Sequence, residues 1–305
     1  MLRSDRRYDA ALLLVVLIWG LNFPIIKVPL AVMPPFTVNL FRFLVSIAVL
    51  GALWAAEARR QGRAFAGAFR KQPWTIGGLG LIGHVGYQVF FILGVANTTA
   101  GSAALIIASA PIWTALIGHL SGVDRLHSAQ WAGVLLSFVG VLTVVLAGEG
   151  QVDFSSDAFV GNMLMLAGAV MWALYTVLSR PVMARGADPL AFTFFGVLVA
   201  MPILIALGLF TLPATDWAAV DGWTWLALLF SGGLSTGLAY YLWNVAVRRV
   251  GPSQTAVFSN LVPFVALLAA LVVLGEPITW AQVFGGVLII GGLVVMRRGR
   301  QLVPA

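Results

Sequence analysis

The chain has 305 residues, of which 60% are hydrophobic and 10% charged, with a net charge of +7 and no cysteine. So few charges cannot cover a water-soluble surface, since soluble domains carry about a quarter charged residues, and without cysteine there are no disulfides, thiolate metal sites or cysteine nucleophiles. The positive charge is spread over the connections between apolar runs, which points to a membrane-topology signal and away from a nucleic-acid partner.

The apolar runs show no strict alternation and are rich in Leu, Ala and Gly, so they read as helices rather than barrel strands. Arg3, Arg6 and Arg7 precede the first run in the manner of a signal peptide. No small-x-small cleavage site follows, and the run continues through Trp19 and Asn22, so it reads as a retained first span. In chain order the predicted spans are 8–28, 35–57, 74–96, 100–120, 128–148, 159–181, 189–211, 223–247, 253–274 and 278–296. Pro29, Pro34 and Pro35 punctuate the first connection, and Asn97, Thr98 and Thr99 mark a tight third one. The expectation is an all-α integral membrane protein of ten transmembrane helices with no soluble domain between them.

The charges set the orientation. With the N-terminus cytoplasmic, the inner connections and termini hold sixteen of the 18 Lys and Arg residues, the largest cluster being Arg59, Arg60, Arg63, Arg70 and Lys71. The outer connections hold Glu149, Asp153, Asp157, Asp216, Asp221 and Glu276. This is the asymmetry of the positive-inside rule, and it places both termini in the cytoplasm.

The chain also repeats itself. "LIWGLNFPIIK", from Leu17 to Lys27, is echoed by "VMWALYTVLSR", from Val170 to Arg180, with the tryptophans 153 residues apart. "QWAGVLLSFVGVL" and "QVFGGVLIIGGLV" echo each other at a spacing of 152, as do Pro111 and Pro263. The reading is two five-helix halves, 8–148 and 159–296. Because five is odd, the halves face opposite ways across the bilayer. Inverted repeats mark secondary transporters with a substrate site near the midplane.

"WGLNF", the tight "GVANTTAGSAALIIASAP" passage and its repeat "NVAVRRVGPSQTAVFSNLVP" resemble the drug/metabolite transporter superfamily, in particular its ten-helix bacterial exporters with two EamA-type repeats. Within that group the chain is most similar to aromatic amino acid and paraquat exporters. The resemblance covers nearly the whole chain. It implies a multi-pass carrier of the bacterial inner membrane, no prosthetic group, and a central cavity lined mainly by the first, third, fourth, sixth, eighth and ninth helices.

Polar groups are costly against lipid, so they should face the bundle interior. At helical spacing, the first span offers Trp19, Asn22 and Ile26, and the third His84, Tyr87, Gln88 and Phe91. The sixth offers Trp172, Tyr175, Thr176 and Ser179, and the eighth Thr236, Tyr240, Tyr241 and Asn244. The fourth adds Ser109 and Trp113, and its twin, the ninth, adds Ser259 and Asn260. The substrate-binding candidates are Trp19, Asn22, His84, Tyr87, Gln88, Ser109, Trp113, Trp172, Tyr175, Tyr240, Asn244, Ser259 and Asn260. Trp74, Trp217, Trp223 and Trp280 read instead as an interfacial belt. Arg42, two turns into the second span, is expected to snorkel outward or to bond helix-end carbonyls, with a substrate carboxylate as a further option. Pro24, Pro111, Pro202 and Pro263 are expected to interrupt helices, and the corresponding pair Pro111 and Pro263 are the hinge candidates.

Several chemistries lack their residues. There is no P-loop pattern, and the only lysines are Lys27 and Lys71. No paired histidines or acidic motif suggest a metal. No Asp or Glu lies mid-span, which favours a facilitated or weakly coupled mechanism. The expected function is therefore not enzymatic. It is export of small amphipathic solutes, amino acids and aromatic ones included, by alternating access, with no obligate protein partner. The alternatives are carriage of drugs, nucleotide sugars or lipids on the same fold, or an integral-membrane enzyme acting on lipid-linked substrates.

Overall fold

The computed structural model describes residues 6–61, 72–121, 128–147, 156–185, 187–250, 258 and 261–301. Among these residues there is no strand. The helices are α1 (Arg6–Leu30), α2 (Pro35–Gln61), α3 (Pro73–Asn97), α4 (Ala100–Leu120), α5 (Ser128–Ala147), α6 (Asp157–Ala184), α7 (Pro189–Thr211), α8 (222–250), α9 (Val262–Leu274) and α10 (Trp280–Gln301). Seven of them, α1 to α4 and α6 to α8, are long and apolar enough to cross a bilayer, whereas α5, α9 and α10 contain shorter apolar stretches. Large apolar side chains such as Leu135, Val139, Phe284 and Val287 face outward, as a lipid-exposed surface requires.

The prolines depart from expectation. Pro24 and Pro202 lie inside unbroken helices, and Pro29 falls in the last turn of α1 rather than in the connection. Proline is tolerated there because packing neighbours and local adjustment satisfy the freed carbonyl. Pro111 stands just past a break at Ala108 and Ser109 that splits α4 into Ala100–Ile107 and Ala110–Leu120. Pro263 is the second residue of α9, where its missing N–H removes no helical bond.

Helix ends are capped by local chemistry. Asp188 Oδ1 accepts from the N–H groups of Leu190 and Ala191, both at 3.0 Å, and Pro189 opens α7. Asp188→Ala should lower thermal stability in detergent by about 1 kcal/mol, with Asp188→Asn close to wild type. At α8, Asp221 Oδ1 accepts from the Thr224 N–H and hydroxyl, each at 2.8 Å. Those bonds hold its carboxyl below the ordinary carboxylate value, so this cap is intact at neutral pH and is lost only as pH falls through the depressed value. Gly275 ends α9 in the left-handed conformation, φ 68°, that glycine adopts without strain.

The helices pack in recurring pairs: α5 on α10, α2 on α7, α1 on α9, α4 on α6, α3 on α6, α1 on α8, α2 on α8 and α3 on α7. The α5–α10 seam brings backbones together. A Cβ on Gly140 would lie 2.6 Å from the Gly285 carbonyl oxygen and 2.7 Å from the Ile289 nitrogen, and one on Gly292 would strike Ser137 and the Gly133 carbonyl. Midway, the Ser137 hydroxyl donates to the Ile289 carbonyl at 2.9 Å. Small residues at such a seam let dispersion and weak polar contacts bind helices that lipid would otherwise solvate equally well.

Two helices change geometry mid-course. The wide π form runs from Leu81 to Gly86 in α3 and from Phe230 to Leu238 in α8. Such turns are uncommon and concentrate at functional sites. Both lie against a neighbour made close by glycine: a Cβ on Gly80 would meet the Gly196 carbonyl oxygen of α7 at 2.5 Å, and one on Gly232 would strike the Arg42 backbone of α2.

Candidate functional site: an aromatic cluster beside a buried arginine

Four helices send aromatic rings to one place. Trp172 of α6 is the centre: its ring lies 6.4 Å from Trp19 of α1, 5.1 Å from Tyr87 of α3, 5.5 Å from Tyr175 and 5.6 Å from Tyr240 of α8. Trp19 also packs edge-on to Tyr240 at 5.9 Å, and its Nε1 donates to the Ser235 carbonyl at 3.1 Å. Trp19 and Trp172 are half-buried while Tyr87, Tyr175 and Tyr240 are buried, so the tryptophans form the accessible part of the cluster. Flat π faces of this kind stack on rings or on cations.

His84 sits in the π turn of α3, its ring 5.9 Å from Tyr175 and 6.0 Å from Tyr240. It is buried, and neither ring nitrogen has a hydrogen-bond partner among the described residues. Asn22, one turn beyond Trp19, is likewise buried with an unpartnered Oδ1. Buried polar atoms left unpaired cost about 1–3 kcal/mol each, so both residues offer hydrogen-bonding capacity that the described residues leave unused.

Next to the rings lies a polar network. Gln88 Nε2 donates to the Tyr240 hydroxyl at 3.1 Å, a bond between residues 152 apart. Arg42 of α2 is 1% exposed. Its Nε donates to Ser231 Oγ at 2.7 Å, its Nη1 to Asn39 Oδ1 at 2.7 Å and Gln88 Oε1 at 3.4 Å, and its Nη2 to Thr236 Oγ1 at 3.1 Å. Asn39 Nδ2 in turn donates to the Gln88 carbonyl at 3.2 Å. Arg42 therefore neither snorkels outward nor caps a helix, as the sequence suggested: close packing at Gly232 encloses it, and neutral side chains hold it. Asn39 and Ser231 were absent from the sequence-derived site, and Arg42 stood outside it with a substrate carboxylate only as a further option. The i, i+3 spacing of Asn39 and Arg42 was the available signal, whereas the part of Ser231 depends on the π turn and has no sequence counterpart.

The structure thus gathers Trp19, His84, Tyr87, Gln88, Trp172, Tyr175 and Tyr240. Other candidates lie apart. The Trp113 Nε1 donates to Ser109 Oγ at 3.1 Å and its ring packs on Phe138 of α5 at 6.0 Å. Asn244 Nδ2 donates to Thr193 Oγ1 of α7 at 2.8 Å. Ser259 and Asn260 lie outside the described residues. Trp74, Trp223 and Trp280 are exposed near helix ends. No group of three His, Asp or Glu among the described residues could hold a metal.

One end of the bundle is tied together around the 97–102 connection. Lys27 Nζ donates to the Thr98 carbonyl, and the Thr98 hydroxyl donates to Asn162 Oδ1 at 2.6 Å. Glu276, from the α9–α10 connection, accepts from the N–H groups of Ala100 at 3.1 Å and Gly101 at 3.4 Å. Gln282 Nε2 donates to Ser102 Oγ at 3.1 Å and Thr99 Oγ1 at 3.3 Å. A cavity of about 370 Å³ opens beside Lys27, Asn97, Thr98 and Asp157.

A lipid-facing helical bundle with an aromatic and polar cluster in its interior is the plan of a multi-pass membrane transporter. Residues 6–146 and 159–298 each match the EamA-like transporter family. The chain belongs to that family, within the drug/metabolite transporter superfamily, and is a multi-pass inner-membrane protein. It is 32% identical over 291 residues, 93% of this chain and 92% of the relative, to a "Probable amino-acid metabolite efflux pump" of Salmonella typhimurium. It is 26% identical over 262 residues, 86% and 87% of the two chains, to an aromatic amino acid exporter of Ancylobacter novellus. A solved structure titled "Crystal structure of protein" shares the fold, with a TM-score of 0.67 at 24% identity, covering 95% of this chain and 98% of that one.

Proposed function

We propose that the chain exports amino acids, aromatic ones included, by alternating access between two inverted five-helix halves, 8–148 and 159–296, with both termini cytoplasmic. The convergence of Trp19, Tyr87, Trp172 and Tyr240 carries this reading, because these rings come from both stretches that match the family. An aromatic wall with His84 packed on it, and Asn22 one turn from Trp19, suits a small solute with an apolar body and polar ends. The names of the amino-acid-exporting relatives agree with it.

The inverted halves are supported by contacts that exchange under a shift of 152 residues. Gly140 against Gly285 becomes Gly292 against Gly133, the Ser137–Ile289 contact becomes itself, and Gln88 bonds its own counterpart Tyr240. Pro111, beside the break in α4, and Pro263, at the start of α9, are the proposed hinges.

Flux in proteoliposomes tests the function. Purified protein should accelerate movement of labelled phenylalanine and tryptophan by at least about tenfold over protein-free vesicles, and exceed its effect on a nucleotide sugar or a quaternary-ammonium drug. Equal amino-acid fluxes with and without protein, across a broad panel, would reject the reading.

A further inference from the structure

We propose that Arg42 receives the substrate's carboxylate, so that the transport site selects organic acids and zwitterions over the corresponding amines. The proposal deepens the export reading above and rests on it for the nature of the cargo.

Arg42 is a permanent cation with almost no exposed surface. No carboxylate among the described residues pairs with it: its hydrogen-bond partners are the neutral side chains of Asn39, Gln88, Ser231 and Thr236. A buried guanidinium without a counter-ion is expensive in a low-dielectric interior, and neutral acceptors offset that cost only in part. The arrangement fits a charge that awaits its partner. The planar fork of a guanidinium matches a carboxylate in two parallel bonds.

The bonds of the network are unequal. Three of the bonds, to Ser231, Asn39 and Thr236, are 2.7–3.1 Å and fix the group from α2 and α8. The fourth, to Gln88, is stretched to 3.4 Å. One Nη2 N–H has no acceptor among the described residues. A carboxylate taking the place of Gln88 Oε1 would displace the weakest of the four bonds and leave the three firm contacts in place. Gln88 is also the link to the rings, through its bond to the Tyr240 hydroxyl. The aromatic body of a solute against Trp172 and Tyr240 would therefore lie one side chain away from the guanidinium. The Gln88–Tyr240 bond joins α3 to α8.

Competition measurements on the wild type give the first test. In proteoliposomes moving labelled phenylalanine, 3-phenylpropionate should compete, whereas phenethylamine, the same body without a carboxylate, should compete at least about tenfold more weakly. Phenethylamine competing as well as 3-phenylpropionate would overturn the proposal without any variant. Arg42→Gln should raise the half-saturating phenylalanine concentration by at least about tenfold, with Arg42→Lys between it and wild type. Thr236→Val, which loosens the guanidinium but keeps its charge, should raise it several-fold, and it serves if Arg42→Gln does not fold. A variant that weakens phenethylamine and phenylalanine equally would show a structural role and overturn the proposal. Thermal shift with 3-phenylpropionate separates this inference from the export reading. Stabilisation of wild type but not of Arg42→Gln, in a protein that moves no amino acid, would reject export and keep the carboxylate site. Amino-acid flux with no Arg42-dependent stabilisation would do the reverse.

Discussion

Gly140→Ala should destabilise the protein by about 1–3 kcal/mol, while Gly291→Ala, on the neighbouring helix, should be neutral or stabilising by up to about 1 kcal/mol. Both changes add one methyl group to a helix, and both gain the same helical propensity. They differ in what the methyl meets. At Gly140 it lies 2.6 Å from a carbonyl oxygen and 2.7 Å from a backbone nitrogen of α10. Backbone atoms cannot rotate aside, so α5 and α10 must part. Parting also stretches the Ser137–Ile289 hydrogen bond and opens the matching contact at Gly292. At Gly291 the nearest atom is a Leu136 methyl at 3.9 Å, an ordinary contact. Melting midpoints of the two variants in the same detergent check this, and equal midpoints would mean the seam is not closely packed.

Trp172→Ala should reduce amino-acid flux by roughly tenfold or more with near-normal expression. Its ring touches four others from four helices, so truncation removes the centre of the aromatic wall rather than one contact. Trp172→Phe should recover part of the flux, since a smaller ring still offers a face. Trp217→Ala is the control. Trp217 is half-exposed and packs edge-on against Phe41 at 6.4 Å, away from the cluster. Wild-type flux from Trp172→Ala would remove the cluster from the transport path.

Much of this arrangement was legible in the sequence because lipid enforces a simple code. Helix positions followed from runs of apolar residues, and most described bounds agree with expectation to within a few residues, as for α7, which runs from Pro189 to Thr211; the exceptions are the described start of α9 at Val262, against 253, and the end of α10 at Gln301, against 296. Stripes at i, i+3 and i+4 also put His84, Tyr87 and Gln88 on one helix face, and all three are buried. Tertiary placement was less visible. Periodicity gives a side chain its face but not its neighbour, so Trp113 and Asn244 turned toward α5 and α7 rather than toward Trp172. Arg42 read as a charge near an interface because its depth depends on how closely α8 approaches α2, a distance set by Gly232. The π turns left no mark beyond glycine-rich stretches, because glycine permits a wide turn without dictating one.

A π turn amounts to one surplus residue stored inside a helix. Were it absorbed into ordinary α geometry, everything beyond it would revolve by about 100°, the angle one residue subtends. Gln88 and Tyr240 each come within two residues of the end of such a turn. Releasing either surplus residue would swing one partner out of reach of the other, so two screw-like adjustments, one in α3 and one in α8, stand poised over a single hydrogen bond.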